Sequence, residues 1–198
     1  MKRNGFSLVE MLGIIILLSI LFLTSFVAVD QRLGKEREKL YDIQLTNLKL
    51  KLENWSLDDT RLRPTSSTEE VYITLAQLKY AGYAEKDIEN PKTGKQFSDS
   101  MTFKISLDGR RVVFDVVENT ITDAKDDKTV ILIEGADVEV YTATGSGYDD
   151  PGFKALVDGV DQTSKVLVSG EANLSTKGVH QITYMLNDVK VIRNIIVR

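Results

Sequence analysis

The sequence predicts an α+β protein with a long N-terminal transmembrane helix, a head holding a small antiparallel sheet, and an all-β sandwich at the end. Three patterns carry that expectation. Residues 11–29 form an apolar run without charge or proline, and apolar residues then recur at three- and four-residue spacings as far as about Leu57. Alternating apolar and polar residues surround Asp108-Gly109, and short apolar runs recur between Val130 and Arg198.

The first run, MLGIIILLSILFLTSFVAV, meets the requirement of about 20 mainly apolar residues for crossing a hydrocarbon core. Lys2 and Arg3 precede it, while Asp30 follows with the mixed set Arg32, Lys35, Glu36 and Arg37, which favours a cytoplasmic N-terminus. Everything after Val29 then faces outward. A secretory signal fits poorly, because its apolar region is typically about 7 to 15 residues and ends in a small-residue cleavage site. A plain single-pass anchor accounts for the hydropathy but gives no reason for Glu10. A carboxylate in the bilayer interior costs on the order of 2.5 to 3.5 kcal/mol, so it calls for a partner.

Gly5-Phe6-Ser7-Leu8-Val9-Glu10, followed by the apolar run, resembles the class III signal of type IV pilins and pseudopilins. The resemblance implies cleavage between Gly5 and Phe6 by a prepilin peptidase, N-methylation of Phe6, and polymerisation through the apolar helices, with Glu10 used in assembly. Cleavage exposes a cationic amine on Phe6, and opposite charges in contact attract by roughly 4 kcal/mol at an effective dielectric near 20. The implied partner of Glu10 is therefore the Phe6 amine of a neighbouring copy. Many members of that family carry a proline inside the helix. Here no proline precedes Pro64, and Gly13, Ser19, Thr24 and Ser25 offer only softer points.

With 198 residues, no cysteine and a net charge of -4, the chain has room for one or two modest domains, stabilised by burial and not by disulfides. Its 25 Lys+Arg against 29 Asp+Glu give no argument for nucleic acid as a main partner. The pilin resemblance sharpens the cysteine count. Pilins of Gram-negative bacteria often close a C-terminal loop with a disulfide, so its absence favours a pseudopilin or a pilin of a Gram-positive-like organism.

Beyond Gln31, Leu33, Leu40, Tyr41, Leu45, Leu48, Leu52 and Trp55 fall near one helical face, expected to pack on the head. Ile43, Leu50 and Leu57 recur on roughly the opposite side, either as a subunit contact or, with the first stripe, inside one globular head. Residues 61–68 read as a loop around Pro64, and Thr68-Glu69-Glu70 opens a short helix with Val71, Leu75, Leu78 and Tyr80 that ends at Gly82. The stretch from Leu75 to Tyr83 resembles a corner of pilin-like proteins from Gram-positive bacteria. Asn90-Pro91-Lys92-Thr93-Gly94 is turn chemistry. Residues 101–107 and 112–117 alternate around Asp108-Gly109 as a hairpin, and Thr120-Ile121-Thr122 suits a third strand. The charged run 123–128 then marks a boundary.

In the tail, residues 130–133, 138–141, 165–168, 179–186 and 189–197 read as strands of a small sandwich. Tyr148-Asp149-Asp150-Pro151-Gly152-Phe153-Lys154-Ala155 and Gly178-Val179-His180-Gln181-Ile182-Thr183-Tyr184 resemble a bacterial Ig-like module, in which a tyrosine commonly stands at the place of His180. The resulting division is a leader at 1–5, a transmembrane and assembly helix at 6–29, a stalk and pilin-like head at 30–123, a linker at 124–128 and an Ig-like sandwich at 129–198.

No catalytic constellation emerges. His180 is the only histidine and has no nucleophile, cysteine or second imidazole beside it in sequence, which favours a packed role. Asp149, Asp150, Asp158 and Asp161 lack the spacing of an EF-hand loop and suit turns better than calcium. Gly145-Ser146-Gly147 precedes no helix or lysine at phosphate-loop spacing. The expectation is thus a non-enzymatic type IV pilus subunit without cofactor or metal, displaying an Ig-like domain for surface contact or adhesion. Its partners are other pilin-like subunits, the peptidase, the assembly machinery, the membrane and a surface ligand. It sits first in the cytoplasmic membrane and then in an extracellular filament. The alternatives are a pseudopilin of a secretion or DNA-uptake machine and an uncleaved membrane-anchored binding module.

Overall fold

The computed structural model describes residues 8–124 and 128–198, with the backbone alone for residues 23–31. Helix α1 (Leu8–Asp58) runs for 51 residues, roughly 76 Å at the usual rise. The transmembrane helix expected from the sequence is not found. Among the described residues, no helix is long and apolar enough to cross a membrane. From Arg32 to Lys39 the helix turns strongly charged.

The head packs on the C-terminal part of α1. Leu48, Leu52 and Trp55 are buried and Tyr41 and Leu45 half-buried against a core of Leu62, Val71, Ile73, Leu75, Leu78, Phe97, Met101, Phe103 and Ile105. Leu33 and Leu40, expected on this face, are exposed, because apolar packing against the head begins only at Tyr41, although Lys92 reaches Glu38 at 3.7 Å. The opposite stripe is exposed too, which rules out a head that buries both.

Residues 71–74, expected as helix, form strand β1 (Val71–Thr74), and the helix α2 begins after it (Leu75–Tyr80). Thr74 marks the switch as N-cap, in a capping box with Gln77 that satisfies first-turn donors reciprocally. Strand β2 (Thr102–Asp108) and strand β3 (Arg111–Val116) complete a sheet ordered β1-β2-β3. The register pairs Asp108 with Arg111, so the two-residue loop is Gly109-Arg110, with Gly109 at φ +62. Residues 118–120 form a single 3-10 turn, and β1 takes the place of the expected third strand.

Beyond residue 128 lie β4 (Thr129–Ile133), β5 (Val138–Tyr141), β6 (Phe153–Val157), β7 (Val160–Asp161), β8 (Leu167–Ser169), β9 (Gly178–Leu186) and β10 (Val189–Val197). They form two sheets, β5-β10-β9-β8 and β4-β6-β7. The β9–β10 hairpin runs in unbroken antiparallel register from Val189–Leu186 to Val197–Gly178, and β5 lies parallel along the other edge of β10 from Asn194 onward. Strand β10 is buried on both faces, as central strands with two packed neighbours are. Val189, Val191, Ile195 and Val197 enter the sandwich core with Ile131, Ala155, Ile182 and Tyr184. Ile196, on the opposite face, joins Val138 in the core of the head.

Candidate functional site

Where β10 meets the head, buried polar groups must find partners, since each one left unpaired costs about 1 to 3 kcal/mol. Strand β1 is an edge strand, and Asn194 covers it: Oδ1 accepts from the Tyr72 N–H at 3.0 Å and Nδ2 donates to the Tyr72 carbonyl at 2.7 Å. Gln77 does the reverse for β10. Its Oε1 accepts from the Ile192 N–H at 3.3 Å, and its Nε2 donates to the Ile192 carbonyl at 2.9 Å and to Asp137 at 2.5 Å. A third tie is the two-pronged pair of Arg198 with Glu69, both contacts at 3.1 Å, with the Thr65 N–H also on Glu69 at 2.8 Å.

These ties shift acidities in opposite senses. Burial pushes Glu69 up, but the Arg198 guanidinium and the Thr65 donors outweigh it and leave the carboxyl below its ordinary range. Burial also dominates at Asp137 and raises it, against the pull of Gln77 and Arg193.

On the sandwich face of β10, the fully buried Arg193 guanidinium is encircled by acceptors. It donates to the carbonyls of Glu134 (2.6 Å), Gly152 (3.0 Å) and Ala136 (3.4 Å), to the Glu139 carboxylate (2.9 Å) and to the Tyr184 hydroxyl (3.2 Å). Asp150 lies 3.3 Å away and accepts from the Tyr184 hydroxyl at 2.5 Å. Burial, and then the bond to Asp150, push the Tyr184 phenol up to about 12. Arg193 thereby fastens two loops to the central strand, a structural office with no open coordination position.

The other candidate surface lies on α1. Leu33, Leu40, Ile43, Leu50 and Leu57 are each more than half exposed, and Leu8, Val9, Met11 and Leu12 stand in solvent around Glu10. Leu33 and Leu40 are seven residues apart, as are Ile43, Leu50 and Leu57, which is the spacing of a coiled-coil seam.

Against this geometry, residues 131–197 match the family model described as a bacterial surface protein, Ig-like domain. A bacterial surface Ig-like domain is found there. The match stops short of the head, and it shows neither a type IV pilin nor a class III signal. No curated protein matches the chain. Among solved structures, a lipoprotein from Bacteroides thetaiotaomicron is similar at 22% identity and a TM-score of 0.31, over 35% of this chain and 37% of that one. The chain thus spans little more than a third of that protein's length.

The residues singled out in the sequence take these places. Gly5 and Phe6 lie outside the described residues, as do residues 125–127 of the linker, while Glu10 sits in the first turn of α1. In the Ig-like domain, the His180 ring pairs with the Thr176 carbonyl at 2.8 Å. Asp150 belongs to the Arg193 network, Asp161 accepts from the Thr163 N–H at 2.9 Å, and Asp158 sits in a tight turn at φ +50. Among the described residues, no group of three or more acids, histidines or cysteines could hold a metal ion. Sequence reasoning passed over Arg193, Asn194 and Gln77. A signal for the first two was present, since they break the apolar run that follows Lys190 in β10.

Proposed function

We propose that the chain is a structural subunit of a type IV pilus on the bacterial surface, holding its Ig-like domain outward for contact or adhesion. The observation that carries this reading is the contrast between the two faces of α1. From Tyr41 onward one face is covered by the head, while Ile43, Leu50 and Leu57 stay exposed along the other. These side chains are about half exposed, so burying the rest of each against a neighbouring copy contributes about 1 kcal/mol. The Ig-like domain shares a core with the head through Val138 and Ile196, so a load on the domain passes directly to the helix.

In this reading the peptidase cuts between Gly5 and Phe6, Phe6 is methylated, and its amine meets Glu10 of an adjacent copy inside the packed helices. No catalytic step is assigned to the chain. Mass spectrometry of protein sheared from cells is expected to show loss of residues 1–5 and one added methyl on Phe6. An intact Met1 in surface protein overturns the reading, as does Glu10→Ala protein that enters sheared filaments as well as wild type.

A further inference from the structure

Strand β10 serves two cores. Side chains alternate across a strand, and here Val189, Val191, Ile195 and Val197 fill the sandwich, whereas Ile196 is fully buried in the core of the head. Strand β5 beside it divides in the same way, with Val138 in the head core and Glu139 on the Arg193 guanidinium. The sharing is mutual, because Ala76 of α2 packs against the sandwich core and Val179 of β9 against that of the head.

The polar ties follow the same division. Parallel β5 pairs with β10 only from Asn194 onward, and just before it Gln77 supplies both partners of the Ile192 main chain. The same Gln77 Oε1 accepts from the Thr74 N–H at 3.0 Å, so the side chain that closes the start of α2 also holds β10. At the turn between β9 and β10, the Asp188 carbonyl accepts from the Ser100 hydroxyl. Domains that meet through a small polar contact move and unfold separately by default. Here separation would expose Val138 and Ile196 together and strip partners from Tyr72, Gln77 and Glu69 at once. We infer that the head and the Ig-like domain are one cooperative folding unit, so that the head, and with it the cover over Leu48, Leu52 and Trp55, stands only while the Ig-like domain is folded. A chain whose Ig-like domain has unfolded then presents that apolar face of α1 to solvent. This goes beyond the display role and does not depend on how α1 packs against other copies.

The test uses the full-length chain. Trp55 is its single tryptophan and is buried in the head core, 5.8 Å from the Tyr83 ring, so its fluorescence reads the head. Ile131 is buried in the sandwich core and takes no part in that of the head. Ile131→Ala is expected to lower the urea midpoint of Trp55 fluorescence by about 1 M, and to reduce the protection of the Tyr184 amide against hydrogen exchange in step. Ile131→Val, a smaller loss that leaves the chain folded, is expected to move both probes by roughly a third as much. In the other direction, Leu78→Ala in the head core is expected to quicken exchange at Tyr184. The inference is overturned if the Ile131 variants quicken exchange at Tyr184 while the Trp55 midpoint keeps its wild-type value. It is equally overturned if Leu78→Ala lowers the Trp55 midpoint and leaves exchange at Tyr184 unchanged.

Discussion

Asn194 in the centre of β10 pairs with the main chain of Tyr72 in β1 as a neighbouring strand would, accepting at 3.0 Å and donating at 2.7 Å. One side chain thus closes the edge of the head sheet and fixes the Ig-like domain against it. Asn194→Ala leaves both Tyr72 groups unpaired in a buried place and is expected to cost about 2 kcal/mol or more. Asn194→Asp should cost more, since it loses the donor and adds a buried charge. Urea denaturation gives the size of each loss. Faster hydrogen exchange at the Tyr72 amide in both variants locates it.

Arg193 is the reverse case, a buried cation whose neighbours would suffer from its removal. Arg193→Met leaves Glu139 and Asp150 facing each other's charge with the Glu134 and Ala136 carbonyls losing their partner, so a loss of about 3 to 5 kcal/mol is expected. Arg193→Lys should recover little, because an ammonium has three donors and lacks the planar fork that reaches both loops. Denaturation midpoints and near-ultraviolet dichroism of Tyr184, which packs 4.8 Å from Phe153, follow both variants.

The contact between head and Ig-like domain is expected to respond to acid. Glu69 titrates below its ordinary value of 4.5 in the fold, so its contribution is present above that pH and is lost as pH falls through the folded value. Asp137 is raised above 3.8, so its contribution is fully present below 3.8 and disappears as pH rises through the folded value. Glu69→Gln should therefore flatten the acid limb of the stability curve, and Asp137→Asn should raise stability near neutral pH. Thermal denaturation from pH 3 to 7 separates the two, and an unchanged acid limb in Glu69→Gln removes the Arg198 pair as its cause.

How much of this was legible in the sequence depended on the range of the interaction. The β2–β3 hairpin announces itself because alternation and a glycine turn are local, although the loop lies one residue later than Asp108-Gly109 suggests. Strand β1 was misread because Val71, Leu75 and Leu78 also satisfy a helical spacing, and four residues are too few to display a period of two. Strand β6 was hidden behind its own turn, Pro151-Gly152. The transmembrane expectation came from hydropathy read along a continuous run, and among the described residues no helix is long and apolar enough to bear it out. The ties at Asn194 and Arg193 were out of reach for a different reason. A polar pair inside an apolar strand shows that partners exist, but Tyr72 lies 122 residues away and nothing local names it.

The exposed seam on α1 yields the most direct separation of folding from assembly. Ile43, Leu50 and Leu57 contribute nothing to the head core, so replacing Leu50 with glutamate should change stability by no more than about 0.5 kcal/mol. Leu52→Ala, two residues along but fully buried, should cost about 2 to 5 kcal/mol. Assembly is expected to reverse that ranking. A charge at Leu50 in a packed seam is left without solvent, whereas Leu52→Ala protein that still folds presents an unaltered outer face. Denaturation of the purified chain together with the yield of sheared surface filaments therefore gives opposite orders for the two variants. Equal filament yields from wild type and Leu50→Glu would remove the outer stripe from the interface.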